Sequence, residues 1–321
     1  MTIHQDFPLQ DLLYYRIGGN AAYVLEVSSH EDIVSAFSFI KEKNIARFLV
    51  VGLGSNLLMP DEDFDGAIVH VTKSMQEDIR LREDGLIESF AGQTLDDLIQ
   101  FSFANKFLGL EILGGLPSTV GGAIRGNAGA FGVEMKDVVA VVEVLDLSNA
   151  ELTTHELIQE QCQFAYRDSI FKKNPNLIIL KGVFKLVPAS AVDVAIARET
   201  YQDKIHYRTV NHPTEYPSCG SVFKNIREPE KVQQIIAVWP DIKESVETKW
   251  HGKVSMGYVN KRLGFLGTEV GGAMITDKHA NYISNVHGAK AADVLTIIEQ
   301  IRTKFRQTFG FYPELEAEIV K

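Results

Sequence analysis

The chain has 321 residues, of which 45% are hydrophobic and 23% are charged, which is typical of a folded globular protein with about two or three domains. The formal net charge of -10 argues against a nucleic-acid partner bound through its phosphates, and two cysteines exclude both a disulfide framework and a cysteine-based metal site. With no secretory signal at the amino terminus and no long apolar run, we expect a cytoplasmic protein without a membrane partner.

Hydrophobic periodicity predicts alternating helices and strands. In chain order we predict a helix at 31–43, strands at 47–54, 67–71 and 86–92, a helix at 94–106, strands at 139–146 and 177–187, and a helix at 291–309. One stripe of the last helix is predicted to lie in the core, and it consists of Val294, Leu295, Ile298, Ile301, Phe305 and Phe309. The polar segment between Pro188 and Pro217 is interpreted as a domain junction.

The stretch 109–132, GLEILGGLPSTVGGAIRGNAGAFG, is unusually rich in glycine. Glycine loses more conformational freedom on folding than other residues, so this density indicates places where no Cβ fits. The stretch also offers the hydroxyls of Ser118 and Thr119 and the amide of Asn127. Such a loop can present backbone N–H groups to an anion and let a pyrophosphate approach closely.

The first glycine turn of the chain, VGLGSNLL at 51–58, superficially resembles a dinucleotide-binding fingerprint. Gly52 and Gly54 are not followed by the third glycine, and Met59-Pro60 would stop the required helix, so we reject a Rossmann site. Two glycine-rich loops together still favour a dinucleotide held by the backbone. Tight packing of turns stays open as the alternative reading.

Five motifs occur in an order that resembles the UDP-N-acetylenolpyruvoylglucosamine reductase family. They are GLGSNLL, GLPSTVGGAIRGNAGAFG, FAYRDSIF, YPSCGSVFKN and DKHANYISN, and the resemblance covers nearly the whole chain. It implies an α+β FAD-binding fold of the p-cresol methylhydroxylase and vanillyl-alcohol oxidase type, with two α+β subdomains and a C-terminal α+β substrate domain. The implied ranges are 1–72 and 73–188 for the subdomains and 200–309 for the substrate domain, with the tail at about 310–321 returning to the active site.

The resemblance implies reduction of UDP-N-acetylglucosamine enolpyruvate to UDP-N-acetylmuramate for bacterial peptidoglycan, with FAD as cofactor and NADPH as hydride donor. Hydride reaches C3 of the enolpyruvyl group, so negative charge develops on C2 and the adjacent carboxylate. Arg167 matches the family arginine that binds this carboxylate, and Ser221 matches the serine that donates a proton to C2. Glu318 in LEAEI matches the family's terminal glutamate, with Glu316 as its near neighbour.

The binding residues are also assigned from the resemblance. Lys224 and Asn225 are expected to bind substrate, and no metal site or obligatory protein partner is expected. The expected cofactor-binding residues are Gly52, Gly54, Ser55, Asn56, Leu57, Gly115, Ser118, Thr119, Gly121, Gly122, Asn127 and Gly129. Neither glycine-rich loop contains histidine or cysteine, so we expect noncovalent FAD.

The chain departs from the family pattern in several places, including Ser118, Arg125-Gly126 and His212. It has no long insertion between Pro188 and Tyr216, so it resembles the shorter class of the family, which lacks the tyrosine loop over the substrate. Two alternatives stay open at this point. One is another FAD-dependent oxidase of the same fold acting on a sugar or hydroxy acid, and the other is a non-catalytic flavin- or nucleotide-binding module.

Overall fold

The structure is a computed structural model that describes residues 1–74, 79–149 and 151–321. The undescribed positions 75–78 and 150 fall inside the predicted second subdomain. The helices are α1 (His30–Glu42), α2 (Leu95–Ala104), α3 (Val120–Arg125), α4 (Ile170–Lys173), α5 (Ala191–Asn211), α6 (Pro229–Val238), α7 (Lys243–Thr248), α8 (Met256–Arg262) and α9 (Ala291–Phe309).

Strands of six to eight residues occur only in a four-stranded and a five-stranded sheet of the described residues, and the other strands are shorter. They are β1 (Thr2–Pro8), β2 (Asn20–Val27), β3 (Phe48–Val51), β4 (Leu57–Leu58), β5 (Phe64–Val71), β6 (Ile79–Leu81), β7 (Ile87–Phe90), β8 (Phe107–Leu108), β9 (Gly129–Ala130), β10 (Val133–Glu134), β11 (Val139–Asp146), β12 (Thr153–Ile158), β13 (Leu177–Phe184), β14 (Val187–Pro188), β15 (Glu269–Val270), β16 (Ala273–Met274), β17 (Ser284–Asn285) and β18 (Glu318–Ile319).

The chain divides into two compact units. Unit 1 consists of Met1–Phe7, Ala21–Leu53 and Phe64–Arg208, and unit 2 consists of Pro8–Asn20, Gly54–Asp63 and Thr209–Lys321. Two short segments from the first fifth of the chain therefore belong to the same unit as its last third. The ranges 1–72, 73–188 and 200–309 stay a prediction.

Unit 1 contains the two larger sheets. The first has the order β1-β2-β5-β3, in which β2 and β3 both run parallel to β5, and the second is antiparallel with the order β12-β11-β13-β7-β6. Strand β13 is buried on both faces: Leu177 and Ile179 join the cluster around α2 and α3, whereas Ile178 and Leu180 join the cluster around α1. Burial on both faces explains why its sequence is continuously apolar rather than alternating.

Unit 2 contains α6 to α9, the small sheet β15-β16-β17 and the parallel pair β18 and β4. Helix α9 has the predicted bounds, and its amino end is capped by the Asp61 carboxylate, which accepts from the N–H groups of Ala291 at 2.6 Å and Ala292 at 3.0 Å. The prediction that Leu295 lies in the core is wrong, because this side chain is 39% exposed and Ile297 is buried instead. A helix turns about 100° per residue, so the buried stripe passes through 294, 297, 298 and 301 and misses 295.

The polar segment 188–217 is mostly helical, since α5 occupies Ala191–Asn211, and the division between the two units falls within it after Arg208. None of the helices in the described ranges has the length and apolarity needed to cross a membrane.

Candidate functional site

A groove in unit 1 lies where the first glycine turn meets the start of α3. Strand β3 ends at Val51, Gly52 follows it, and Thr119 caps the first turn of α3 by accepting from Gly122 N–H at 3.2 Å. The lining residues are Phe48, Leu49, Val50, Gly52, Val71, Ala91, Thr119, Gly121, Gly122, Arg125, Phe171, Pro175, Leu177, Ile178 and Ile179. Thus four predicted cofactor residues, Gly52, Thr119, Gly121 and Gly122, line one groove.

The glycines of this groove are required by close approach of the backbone. A Cβ placed on Gly52 would lie 2.3 Å from Thr119 Oγ1, and one on Gly121 would lie 2.9 Å from the Cβ of Ala91. Real Cβ atoms do not come this near to other heavy atoms, so larger residues would push the two loops apart. Bare backbone at these positions therefore keeps both loops at the groove.

The backbone N–H groups at the start of α3 are used within the protein. Val120 N–H donates to Gln93 O at 2.8 Å, Gly121 N–H donates to Ala91 O at 2.8 Å, and Gly122 N–H donates to Thr119 Oγ1. The expectation that the second loop presents free N–H groups is wrong for these three positions. Val120 and Gly121 donate to the segment 91–93, and Gly122 donates within the loop to Thr119. Glycine serves here for proximity rather than for N–H donation.

The composition of the groove fits FAD. Its walls are largely apolar, which suits flat aromatic ring systems, and Arg125 at the end of α3 supplies a cation for a diphosphate. The Arg125 main chain is fixed, since its carbonyl accepts from Ser169 Oγ at 2.6 Å. No lining residue is acidic.

Three other predicted cofactor residues of unit 1 lie beside protein groups. Gly115 has a φ of 70°, and a Cβ on it would lie 3.1 Å from Ile205 Cγ1. The side chain of buried Asn127 donates to Glu134 Oε2 at 3.0 Å and Ala165 O at 2.8 Å, while its Oδ1 accepts from Lys136 N–H at 3.0 Å. Ser118 Oγ donates to Thr119 O at 2.9 Å. Their cofactor contacts stay predictions.

Arg167 is held in a tight turn of unit 1. Ala165 and Asp168 exchange backbone hydrogen bonds of 2.9 and 3.1 Å around it, and its φ of 56° is unusual for a non-glycine residue. Its guanidinium donates to Gly129 O at 2.8 Å and lies 5.3 Å from the centroid of the Tyr166 ring. Gly129, a predicted cofactor residue, thereby orients the predicted carboxylate-binding arginine.

Ser221 lies in unit 2 at the start of a segment held on two sides. On one side, Asn281 O accepts from Val222 N–H at 2.9 Å. On the other side, Val222 O accepts from Glu316 N–H at 2.8 Å, which places the carboxy-terminal tail beside the segment. Ser221 itself is partly exposed, while Val222 is buried.

The carboxy-terminal tail passes between the Ser221 segment and the first glycine turn. Asn56 Nδ2 donates to Glu316 O at 3.1 Å, and Asn56 O accepts from Glu318 N–H at 2.9 Å. A Cβ on Gly220 would lie 3.9 Å from Ser55 O, so the turn also runs close to the serine segment. Unit 2 therefore brings together Ser221, Glu318 and the predicted cofactor residues Gly54, Ser55, Asn56 and Leu57, whose cofactor contacts stay predictions.

The predicted substrate residues follow Ser221 directly. Lys224 N–H donates to Glu314 O at 2.9 Å, and its ammonium lies 3.7 Å from the Glu314 carboxylate. Asn225 Oδ1 accepts from Met256 N–H at 3.0 Å at the start of α8. Both residues are partly buried beside the tail or α8, and their substrate contacts stay predictions.

Both cysteines are poor nucleophiles. Burial raises the pKa of the Cys162 thiol to about 12, and burial likewise raises that of Cys219 to about 12. Neither thiol is substantially ionised at neutral pH, so neither favours covalent attachment or catalysis. The described residues also contain no group of His, Cys, Asp and Glu suited to a metal ion.

Sequence reasoning missed two kinds of residue. The groove walls come from strands β3, β5 and β13, whose apolar residues look like ordinary core in the sequence. Asn281, buried beside Phe223, was noticed only as one letter of the DKHANYISN motif. The surrounding motif is itself mostly polar, so no sequence signal singles out Asn281.

Known protein families and relatives match this chain over nearly its whole length. Residues 212–320 match the family described as UDP-N-acetylenolpyruvoylglucosamine reductase, C-terminal domain, and residues 21–155 match the family described as FAD binding domain. The UDP-N-acetylenolpyruvoylglucosamine reductase of Carboxydothermus hydrogenoformans is 34% identical over 98% of this chain and 92% of its own length. The UDP-N-acetylenolpyruvoylglucosamine reductase of Pseudothermotoga lettingae is 33% identical over 99% of this chain and 97% of its own length.

A solved structure of a reductase with the same described activity also matches this chain. The UDP-N-acetylenolpyruvylglucosamine reductase of Thermus caldophilus superimposes with a TM-score of 0.76 at 26% identity, and the match covers 100% of both chains. The predicted fold class, an FAD-binding α+β fold followed by a C-terminal α+β domain, is confirmed.

Proposed function

Since the chain belongs to the UDP-N-acetylenolpyruvoylglucosamine reductase family, we propose that Arg167, Ser221 and Glu318 carry out its reduction of UDP-N-acetylglucosamine enolpyruvate to UDP-N-acetylmuramate. The activity belongs to peptidoglycan precursor synthesis and makes the protein a flavin-dependent oxidoreductase that uses FAD and NADPH.

The groove of unit 1 would hold FAD through its apolar walls and the Arg125 guanidinium, with the glycines leaving room for the cofactor. Bound FAD supplies hydride chemistry, carrying two electrons from NADPH to the enolpyruvyl group. None of the groove-lining residues is a histidine or cysteine that could form a covalent tether, so we propose that FAD is dissociable. Acid precipitation should then release all flavin into the supernatant, and flavin retained in the pellet would contradict this proposal.

Arg167 would bind the enolpyruvyl carboxylate. A guanidinium stays charged at any working pH and can engage both carboxylate oxygens, so it stabilises the charge that develops beside C2. The turn geometry, the bond to Gly129 O and the contact with Tyr166 fix the side chain before substrate arrives. A fixed donor spends less free energy on reorganisation during the reaction.

Ser221 would deliver the proton to C2 from its hydroxyl. The segment after it is bound on both sides, which limits the movement of the Oγ relative to the substrate. Glu318 would act beside it, by orienting the reacting group or sharing a hydrogen bond with the serine. Strand β18 fixes the Glu318 backbone against Leu57, and Glu316, two residues earlier, is held by Asn56 and Val222 instead.

The observation that supports this proposal most directly is the course of the carboxy-terminal tail. Residues far apart in sequence, Ser221 and Glu318, lie on neighbouring segments of unit 2 because the tail hydrogen-bonds to both Val222 and Asn56. A second polar group near a general acid can orient or recharge it, and we assign that role to Glu318.

The test is a pair of anaerobic half-reactions monitored by flavin absorbance. NADPH should bleach the protein-bound flavin, and UDP-N-acetylglucosamine enolpyruvate should restore the absorbance with formation of UDP-N-acetylmuramate. An Arg167→Lys variant should be reduced by NADPH at the wild-type rate but reoxidised slowly, since lysine keeps the charge and loses the two-pronged geometry. A wild-type protein that bleaches with NADPH and recovers only with oxygen would overturn the proposed function.

A further inference from the structure

Asn281 makes an unusual set of bonds to the two residues that follow Ser221. Its Nδ2 donates to Phe223 O at 2.8 Å, and its Oδ1 accepts from Phe223 N–H at 3.1 Å. Its own backbone carbonyl accepts from Val222 N–H at 2.9 Å. One side chain thus satisfies both backbone groups of Phe223, while its main chain holds Val222.

The side-chain amide of Asn281 also contacts a second buried asparagine, Asn260. Asn260 on α8 is fully buried, and its Nδ2 donates to Ala280 O at 3.1 Å and to Asn281 Oδ1 at 3.4 Å. Among the described residues, Asn260 Oδ1 has no hydrogen-bond partner. Through its Nδ2 group, Asn260 holds the Asn281 amide against α8.

The opposite edge of the same segment carries the tail. Val222 O accepts from Glu316 N–H at 2.8 Å, and Lys224 N–H donates to Glu314 O at 2.9 Å. The backbone after Ser221 is therefore bound by Asn281 on one edge and by the tail on the other. Because the tail can bind only a segment that presents its carbonyl in the right direction, Asn281 also sets the position of the tail.

We infer that Asn281 is a positioning residue for the Ser221 hydroxyl, acting through the backbone of Val222 and Phe223. This inference rests on the proposed function, in which Ser221 protonates C2. Asn281 touches neither cofactor nor substrate in this scheme. Its effect is geometric, since displacement of a catalytic group by about 1 Å can lower a rate about 10²-fold.

Asn285 provides a matched control four residues further along. It is also a buried asparagine, its Nδ2 donates to Tyr15 O and Arg16 O at 3.2 Å, and its Oδ1 accepts from Ala289 N–H at 2.8 Å. Its hydrogen bonds go to other segments and none goes to Val222 or Phe223. Removing either amide should lower stability, but only the loss of Asn281 should displace Ser221.

The experiment compares Asn281→Ala, Asn260→Ala and Asn285→Ala with wild type as FAD-loaded proteins. For Asn281→Ala we expect an unchanged rate of flavin reduction by NADPH, a KM for the enolpyruvyl substrate close to wild type, and a kcat about 10²-fold lower. Asn260→Ala should lower kcat less, because only the support behind Asn281 is lost. Asn285→Ala should lower the Tm while leaving kcat unchanged.

Should Asn281→Ala fail to fold, Asn281→Ser carries the test, because its hydroxyl keeps one hydrogen bond to the segment. A folded Asn281 variant with wild-type kcat, or an Asn285→Ala variant with the same loss of kcat, would overturn the inference. Turnover of the enolpyruvyl substrate by the wild-type protein tests the proposed function separately. If the wild-type protein shows no turnover, the proposed function and this inference are both wrong. Normal wild-type turnover with an unaffected Asn281 variant rejects this inference alone.

Discussion

The groove of unit 1 and the Ser221 region of unit 2 are shaped by different kinds of contact. The groove of unit 1 depends on missing side-chain atoms, since a Cβ on Gly52 would lie 2.3 Å from Thr119 Oγ1. The Ser221 region of unit 2 depends on buried amides, where Asn281 and Asn56 bind the backbone of segments far away in sequence. Close packing therefore shapes the groove proposed for FAD, and hydrogen bonding shapes the region around Ser221.

This difference predicts different responses to mutation. A groove shaped by proximity should tolerate changes in polarity but not an added methyl group. A site shaped by hydrogen bonds should tolerate small changes in volume but not the loss of a donor or acceptor. The predictions below test each side of this contrast.

The largest effect is expected for Ser221→Ala. The second half-reaction should slow by about 10²- to 10⁴-fold, the usual contribution of a positioned general acid, which corresponds to roughly 3–5 kcal/mol of barrier. The loss should appear in kcat, since a hydroxyl contributes little to binding a large UDP-sugar. Stopped-flow mixing of NADPH-reduced protein with substrate measures it, and reoxidation at the wild-type rate would leave Ser221 as a structural residue only.

Gly52→Ala should weaken FAD binding. Overpacking of this kind costs about 1–3 kcal/mol, which would raise the Kd for FAD about 5- to 150-fold. Gly126→Ala is the matched control, because Gly126 has a φ of -83° and an added Cβ would lie 3.4 Å from Gly122 O. Flavin fluorescence titration of both apo proteins tests the prediction, and equal affinities would show that proximity does not shape the groove.

Asp61→Ala should destabilise unit 2 by about 1 kcal/mol, because the carboxylate accepts from two N–H groups at the first turn of α9. Asp63→Ala removes a neighbouring carboxylate that accepts from Asn20 N–H and caps no helix. We expect a Tm about 2–4 °C lower for Asp61→Ala than for Asp63→Ala. Equal melting temperatures in differential scanning calorimetry would argue against the cap.

The smallest effect is expected for the pH dependence of the unfolding free energy that His279 causes. Burial lowers the pKa of His279, which packs against His212 and Tyr282 in unit 2. Above the unfolded pKa of about 6.5 the histidine is neutral in both states and contributes no pH dependence. Below it the unfolded chain binds a proton that the folded chain rejects, so the unfolding free energy falls as pH falls.

We expect a decrease of at most about 1 kcal/mol from this histidine between pH 6.5 and 5.5. His279→Gln should make the urea-unfolding free energy less dependent on pH in that interval. Burial also lowers the pKa of His70 in unit 1, so part of the dependence should persist in the variant. An identical pH dependence in wild type and variant would contradict the role of His279.

The sequence predicted the local elements and the family better than it predicted the assembly of the sites. Helix α9 follows from periodicity, because it buries one stripe, and strand β11 follows from its enrichment in β-branched residues. Gly52 and Gly121 were predicted as cofactor residues, and both line the groove. Their cofactor contacts stay predictions, and for Gly121 the N–H group is already used by Ala91 O, which glycine content does not reveal.

The remaining features depend on tertiary contacts. No local pattern says that Asp61 caps a helix 230 residues later or that Asn56 binds the tail. Arg125 was left open in the sequence, and only the fold shows it at the groove. Helix α5 was missed because its sequence is polar on most sides, which resembles a linker when read alone.

The pairing of Asn56 with Glu316 also has a consequence for synthesis on the ribosome. These residues are separated by 260 positions, so translation continues for roughly 10–50 s after Asn56 is made before its partner exists. During that time Leu57–Leu58, which is buried in the folded protein and pairs with Glu318–Ile319, is not covered by that strand. All of unit 1 has been translated by Arg208, so the nascent chain contains the whole unit 1 groove well before it contains the Ser221 region of unit 2. A chain that ends before residue 314 would therefore contain the groove proposed for FAD but lack the tail that carries Glu318.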